Sequence, residues 1–368
     1  MKFPQTFNAE ELSRYSRHMS LSSIGMAGQA KLKSARVLCV GAGGLGSSLL
    51  LYLCASGVGT IGIVDNDEIE LTNLQRQILY STKDIKRKKT HAALEHLTSL
   101  NPNVNIVLHE EKLTQENAPT IIHNYDIVAD GSDNFNTRYI INEACFLLNK
   151  PNVSASVADF SGTCSIFTAM NGPCYRCLYA VKPPANIIPN CSEAGVFSVL
   201  PGLMGNIQAT EIIKLILKIG NPLIGRLLKY DALTMQFQEY TIKKDPDCKL
   251  CSQHSQVTLT ETSCQPSPIS TQEISATELS ALIKQYPNLQ LIDVREPHEH
   301  IVFNIGGNNV PLSQLVWRLS EVKLNLPAVI YCQKGIRSLQ ALAILEQAGI
   351  KQVQCLKGGI NAWVKENS

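Results

Sequence analysis

Charge of one sign is what this sequence most plainly lacks: 33 lysines and arginines against 31 aspartates and glutamates leave a formal net charge of +2 across 368 residues. No basic stripe interleaved with aromatics stands out either, so direct binding to nucleic acid finds no support. Long hydrophobic runs are missing as well. Residues 37–64 hold no charge, yet seven glycines interrupt them and no continuous apolar stretch of about 20 residues exists, which excludes a membrane-spanning helix there. A buried strand, loop, helix and strand account for the segment better. The first residues, MKFPQTFNAEELSRYSRHMS, lack the apolar core of an export signal. The expected setting is therefore the reducing cytosol: a cytoplasmic protein with no membrane partner. Internal repeats are absent too.

What is present describes an ordinary globular chain, 44% apolar and 17% charged, long enough for two domains. Residues 252–273, SQHSQVTLTETSCQPSPISTQE, are rich in Ser, Thr, Gln and Pro without apolar periodicity, and read as a linker. The expected organisation is a front domain over 1–251, a linker over 252–272 and a second domain over 273–368. Twelve cysteines in a long cytosolic chain argue for metal or catalytic thiols over structural disulfides.

In the front domain, ARVLCVGAGGLGSSLLLYLCASGVGTIGIVDND (35–67) passes from a short strand through Gly41, Gly43, Gly44 and Gly46 into a helix, then a second strand ending on Asp65. Such glycines allow close backbone approach to phosphates, and an acid about 20 residues later holds ribose hydroxyls. The pattern reads as a nucleotide site in a doubly wound α/β fold. Hydride transfer from a nicotinamide cofactor suits it poorly. DNDEIELTNLQRQILYSTKDIKRKK (65–89) places Asn73, Arg76 and a lysine cluster immediately after the acid, and cations beside phosphates serve a reaction in which the phosphates themselves react. YDIVADGSDNFNTRYIINEAC (125–145) then delivers Asp130 and Asp133 at a strand end, where a carboxylate can hold Mg²⁺ on the phosphates. Asp130 is alternatively an acid capping the next helix, and Asp133 is the expected metal-side residue.

Two Cys-x2-Cys pairs follow, GPCYRCLYA (172–180) and DPDCKLCSQH (245–254). Cys174, Cys177, Cys248 and Cys251 can present four thiolates tetrahedrally, the arrangement of a closed structural zinc. A redox pair would open a helix after a strand, whereas these stand in Pro- and Gly-flanked loops; His254 is an alternative to one thiolate. Between the pairs, a helix with Pro201 near its start and Gly220 past its end follows a loop carrying Cys191. Cys39, Cys54, Cys145, Cys164, Cys264 and Cys355 are assigned no role.

In the second domain VIYCQKGIRS (329–338) puts Cys332 at a strand end, ahead of Lys334, Arg337 and a helical pattern. Backbone N–H groups at a helix start and two nearby cations favour the thiolate. Phosphate attack and carriage of sulfur as a persulfide both use such a cradle. The spacing here is Cys-x4-Arg, one residue short for wrapping a phosphate, and Tyr331 stands where a phosphatase has His.

With LQLIDVREPHEH (289–300) and VQCLKGGINAWV (353–364), this loop resembles a rhodanese sulfurtransferase domain over roughly the last hundred residues. A usual GHIxGA-like segment is replaced by FNIGGNNV (303–310). Similarly RYSRH (14–18), GAGGLG, DND…NLQRQ and DGSDNFNTR resemble the MoeB/ThiF branch of the ubiquitin-activating enzyme-like family through most of residues 10–250. That resemblance implies a Rossmann-like ATP-binding adenylation domain with a largely parallel sheet, followed by an α/β rhodanese domain. It implies ATP beside Gly41, ribose on Asp65, phosphates on Asn73, Arg76 and Lys89 (or Lys86), and Mg²⁺ on Asp133. Arg17 would reach across a homodimer into the partner's site, and Cys191 matches a crossover-loop cysteine assigned to a covalent or disulfide-linked intermediate.

The activity so implied is adenylation of the C-terminal glycine of a small ubiquitin-like sulfur carrier ending in Gly-Gly. Sulfur transfer from a Cys332 persulfide, loaded by a cysteine desulfurase or thiosulfate, would follow. Molybdopterin synthesis is the expected pathway; carriers for thiamine, tRNA thiolation or amino-acid sulfur metabolism are equally compatible. A dehydratase of modified tRNA, a nicotinamide dehydrogenase and an inert scaffold are the competing classes.

Overall fold

The computed structural model describes residues 7–169, 172–180, 195–252, 273–286, 289–315, 318, 327–347 and 353–367, which form two compact units. Cys191, His254, Cys264 and all but Ser252 of the expected linker lie outside the described residues.

The first unit holds an eight-stranded sheet: β1 (Arg36–Val40), β2 (Thr60–Val64), β3 (Asn105–His109), β4 (Ile127–Asp130), β5 (Asn152–Ala158), β6 (Ser161–Phe167), β7 (Arg226–Asp231) and β8 (Gln236–Thr241), in the order β3-β2-β1-β4-β5-β6-β7-β8. β3 to β5 pair in parallel across β2, β1 and β4, and β6 to β8 continue antiparallel. The uncharged stretch has its explanation here. β1 beyond Arg36, most of the helix Gly44–Ala55 and all of β2 are buried, so few positions between 37 and 64 have water to solvate a charge. Leu49, Leu50, Leu53 and Cys54 are fully enclosed, each leucine contributing about 1.5–3 kcal/mol of apolar transfer.

The same helix lies unusually close to its neighbour, Val199–Leu217. A methyl group on Gly205 would stand 2.4 Å from the Leu45 carbonyl, and one on Gly44 would stand 2.9 Å from Pro201. Glycine at both positions lets the two helices pack backbone to backbone. Pro201 falls in the first turn, where its missing N–H leaves no bond unmade.

β1 is the switch point. It pairs with β2 on one side and β4 on the other, with Val40 level with both Val64 and Asp130. The residues that follow these strands, Gly41, Asp65 and Gly131, therefore meet at one crevice, the place where open α/β sheets bind ligands.

The second unit is a five-stranded parallel sheet of β9 (Glu273–Ile274), β10 (Gln290–Asp293), β11 (Asn308–Asn309), β12 (Ala328–Tyr331) and β13 (Val353–Leu356), in the order β11-β10-β12-β13-β9. β12 is central and buried on both faces. Ile330 packs with Ala341, Leu342 and Leu345 of the helix Ile336–Gln347, while Val329 and Tyr331 pack with Leu279 and Ile360 on the other side. Cys332 follows directly at its carboxyl end. No helix among the described residues is long and apolar enough to cross a membrane.

Candidate functional site

A cavity of about 490 Å³ opens at the switch point, walled by Gly41, Gly43, Gly44, Asp65, Arg76, Lys89 and Asp133, with Gln77 and Arg138 among their neighbours. Its floor is the glycine-rich loop. Gly41 has φ +92°, and a methyl there would lie 2.9 Å from the Gly131 carbonyl. Gly46 does not line the cavity. A methyl on it would stand 2.1 Å from the Gly41 carbonyl, so Gly46 is the position that lets the helix start fold tightly beneath the loop.

Asp65 braces that loop: one carboxylate oxygen accepts from Ala42 N–H at 2.8 Å and the other from Asp67 N–H at 2.9 Å. Burial raises its pKa, with Lys89 and the two N–H groups opposing. Tyr80 donates to the Ala42 carbonyl from below at 2.9 Å. Spare lone pairs on Asp65 still face the cavity, as hydroxyl recognition requires.

The cations are held differently. Lys89 is almost buried and forms a 2.8 Å ion pair with Asp67. Arg76 donates to the Thr72 carbonyl at 3.2 Å. Lys86 is outside the cavity wall, in a left-handed turn at φ +69°. Asn73 also stands outside the wall; its side-chain oxygen accepts from Glu70 N–H at 3.1 Å and closes the turn that presents Arg76. Arg17 is exposed on the short helix Ser16–Met19 and does not reach this cavity.

The two acids of the third segment separate cleanly. Asp130 is fully buried, accepting from Ser132 N–H, Ser132 Oγ (2.6 Å) and Ser154 Oγ (3.0 Å), while Asn134 caps the helix Phe135–Leu147. Neither metal binding nor helix capping, the two expectations for Asp130, fits that network. Asp133 is exposed at the cavity wall, where Asn134 Nδ2 lies 3.5 Å from its carboxylate. An exposed carboxylate of this kind suits Mg²⁺, which keeps several waters. Arg138, which no sequence motif singles out, lines the cavity half-buried and donates to the Ser132 carbonyl at 2.8 Å. Desolvation opposes its charge, but Asp130 together with Tyr175 and Tyr179 raises its pKa on balance.

Cys174, Cys177, Cys248 and Cys251 converge with all four sulfurs within 4.8 Å of one another. Sulfur–sulfur separations of 3.9, 3.5 and 3.3 Å bracket the roughly 3.8 Å edge of a tetrahedron of Zn–S bonds. The cluster can hold a structural metal. Contrary to the expected loop setting, Cys174 occupies the N-cap position of the one-turn helix Tyr175–Leu178 and Cys177 lies within it. What opposes a redox pair is the facing pair from the chain 74 residues on. Burial and the surrounding thiols push Cys174 up, whereas at Cys248 burial is outweighed by the N–H groups of Cys251 and Leu250, which favour the thiolate.

In the second unit Cys332 is 1% exposed, and its sulfur accepts from Gly335 N–H at 3.2 Å at the mouth of the helix Ile336–Gln347. Beneath it Asp293 and Arg295 form a buried ion pair of 2.7 Å, and Arg295 donates on to Gln333 in the loop at 3.1 Å. Arg337 grips Glu299 through both terminal nitrogens, at 2.6 and 2.7 Å. Lys334 is exposed.

The chain matches the ThiF family over residues 15–250 and the rhodanese-like domain over residues 275–366. It is 40% identical over 369 residues to a probable adenylyltransferase/sulfurtransferase, MoeZ, of Mycobacterium tuberculosis, covering 97% of this chain and 94% of that protein. It is 47% identical over 247 residues to a sulfur carrier protein adenylyltransferase of Thermus thermophilus, covering 66% of this chain and 91% of that protein. Among solved structures it resembles E. coli MccB with ATP, at TM-score 0.58 and 26% identity, over 67% of this chain and 75% of that one. The glycine loop, Asp65 and the strand-end carboxylate thus stand in a chain that belongs to the ThiF family and carries a rhodanese-like domain behind it.

Proposed function

We propose that this protein adenylates the C-terminal glycine of a small ubiquitin-like sulfur carrier and then converts the acyl-adenylate to a thiocarboxylate with sulfur carried on Cys332. One observation carries the reading: Gly41, Gly43, Gly44, Asp65, Arg76, Lys89 and Asp133 wall a single cavity in a chain whose second unit presents a thiol on a strand-to-helix loop. The cavity falls within the size range of small-molecule sites. Its glycine floor admits phosphates to the backbone, its cations, Arg76 and Lys89 foremost, offset their charge, and Asp65 offers acceptors to ribose. Asp133 is the residue that would hold Mg²⁺, which supplies charge neutralisation on the phosphates. Zinc is the metal that the four thiols suit, as a closed structural site.

No general base is required. The carrier's carboxylate is ionised at neutral pH; it attacks the α-phosphorus of ATP, the bond to the β-phosphate oxygen breaks and pyrophosphate leaves. Alignment and charge neutralisation by Arg76 and Lys89 are the protein's contribution. A Cys332 persulfide then attacks the acyl carbonyl and expels AMP, leaving an acyl disulfide. Attack by the Cys191 thiolate on the Cys332 sulfur releases the thiocarboxylate and leaves a Cys191–Cys332 disulfide, which an external thiol must reduce. Joining both activities on one chain raises the effective concentration of the two reactants.

Arg17 completes the site from the second subunit of a homodimer, a reading supported by its exposure and its absence from the wall of its own cavity. Molybdopterin synthesis is the pathway this fused arrangement supports best. ATP–pyrophosphate exchange with Mg²⁺, run separately with each Gly-Gly-ending carrier of the source organism, tests the proposal: exchange with one carrier names the pathway. Silence with every carrier would overturn it in favour of a tRNA dehydratase or another carboxylate substrate.

A further inference from the structure

The arginine of the Cys332 loop is not free to bind an anion. Its guanidinium meets the Glu299 carboxylate end-on, both terminal nitrogens against both oxygens, at 2.6 and 2.7 Å. This is the bidentate geometry in which a guanidinium would otherwise recognise an oxyanion such as thiosulfate. Glu299 is itself fixed from a second side, accepting from Glu296 N–H at 3.1 Å at the start of the helix Pro297–Val302. The pair is partly sheltered, with side-chain exposures of 33% and 25%. The arginine holds the Glu299 carboxyl down at about 2, so the pair is fully charged at any physiological pH.

The rest of the loop offers little to replace it. Arg295, the other guanidinium near Cys332, is committed to Asp293, the Phe303 carbonyl and Gln333. Lys334 remains, an exposed ammonium without an ion pair among the described residues, but a hydrated point charge on a flexible stem lacks the fork that orients an oxyanion. Beyond Glu299 the same short helix ends in Ile301 and Val302, exposed at 81% and 86%, with Phe303 and Ile336 also exposed. Those side chains present apolar surface where an anionic donor would need donors.

Given that Cys332 carries sulfur, we infer that Glu299 is a specificity-determining residue of the loading step, withdrawing Arg337 from donor binding and so discriminating against oxyanion donors. The favoured step is attack of the Cys332 thiolate on the outer sulfur of a thiol persulfide. A new S–S bond forms on Cys332, the donor's S–S bond breaks, and the donor leaves as a thiolate with the electron pair. With thiosulfate the corresponding leaving group is sulfite, whose charge nothing on the loop's fork is free to receive.

The test compares loading of the full-length protein by sodium thiosulfate and by cysteine persulfide, each followed as cyanide-releasable thiocyanate, in wild type, Glu299→Gln and Glu299→Asp. Wild type should load from cysteine persulfide far better than from thiosulfate, and Cys332→Ser should load from neither. Glu299→Gln should raise the thiosulfate-to-persulfide ratio of kcat/KM at least tenfold, through a lower KM for thiosulfate. Glu299→Asp, which keeps the charge but shortens the reach, should raise it by less, and decides the matter if the amide variant fails to fold. A Glu299 variant that folds with an unchanged or lower ratio overturns the inference while leaving the role of Cys332 intact. Absence of loading from either donor in wild type would instead overturn the reading of Cys332.

Discussion

Lys89 and Asp67 face each other at 2.8 Å across the wall of the nucleotide-sized cavity, the lysine side chain 7% exposed and the aspartate 60%. A buried ammonium aimed at a cavity by one exposed acid is placed to transfer its attention to a phosphate. Lys89→Met should therefore lower ATP–pyrophosphate exchange by roughly 10²–10³-fold, the range seen when one preorganised charge contact is removed. Lys86→Gly, which relieves a left-handed lysine at φ +69° outside the wall, should leave exchange within about twofold. Equal losses in both would show that the register favours neither.

The two chemistries should separate by mutation. Cys332→Ser is expected to abolish thiocarboxylate formation, read by mass spectrometry of the carrier, with exchange at the wild-type level. Asp133→Ala is expected to suppress exchange and spare sulfur loading of Cys332. Thiocarboxylate formed by Cys332→Ser at the wild-type rate would remove that residue from the reaction.

Metal content offers a third check. One zinc per chain is expected by elemental analysis, with four thiols freed on mercurial titration. Cys248→Ser should lose the metal and destabilise the first unit by more than about 4 kcal/mol, roughly 10 °C or more in Tm for a unit of this size.

Acid should act through Asp84. Although burial opposes it, the N–H and hydroxyl of Ser81 together with His96 hold this carboxyl down at about 2. A depressed acid stabilises the fold above its unfolded pKa, near 4, and that contribution, about 2 kcal/mol, is lost as pH falls from about 4 through about 2. In urea titrations the stability gap between wild type and Asp84→Asn should narrow by that amount over the same window. A gap independent of pH would assign the network no role.

Much of this is legible in the sequence alone. The glycine spacing, the acid ending β2 and the uncharged run between them are local patterns, and each follows from burial of one strand, one helix and one strand. The four cysteines were legible too, because the chemistry of a closed metal site demands that set. What could not be read depends on partners distant in sequence. Asp130 is claimed by Ser154, 24 residues away, and Arg337 by Glu299, 38 residues away. Arg138 follows Asp133 by only five positions, yet its place on the cavity wall comes from tertiary packing and leaves no periodic trace. Asn73 was drawn toward phosphate by adjacency, whereas its side chain closes its own turn.

FNIGGNNV shows which parts of a pattern can drift. Arg295 reaches the carbonyl of Phe303, so residue identity at 303 matters less than the path of the main chain, whereas Asn304 uses its side-chain oxygen to accept from Gly306 N–H at 3.0 Å. Gly307 is different: at φ +91°, with a methyl there falling 2.1 Å from the Leu291 carbonyl, it has no substitute. A search keyed to the usual histidine would pass this domain over; one keyed to Asp293-x-Arg295 and the constrained glycine would find it. Diagnostic profiles for such domains are better weighted by buried ion pairs and forbidden backbone angles than by the most frequent letters.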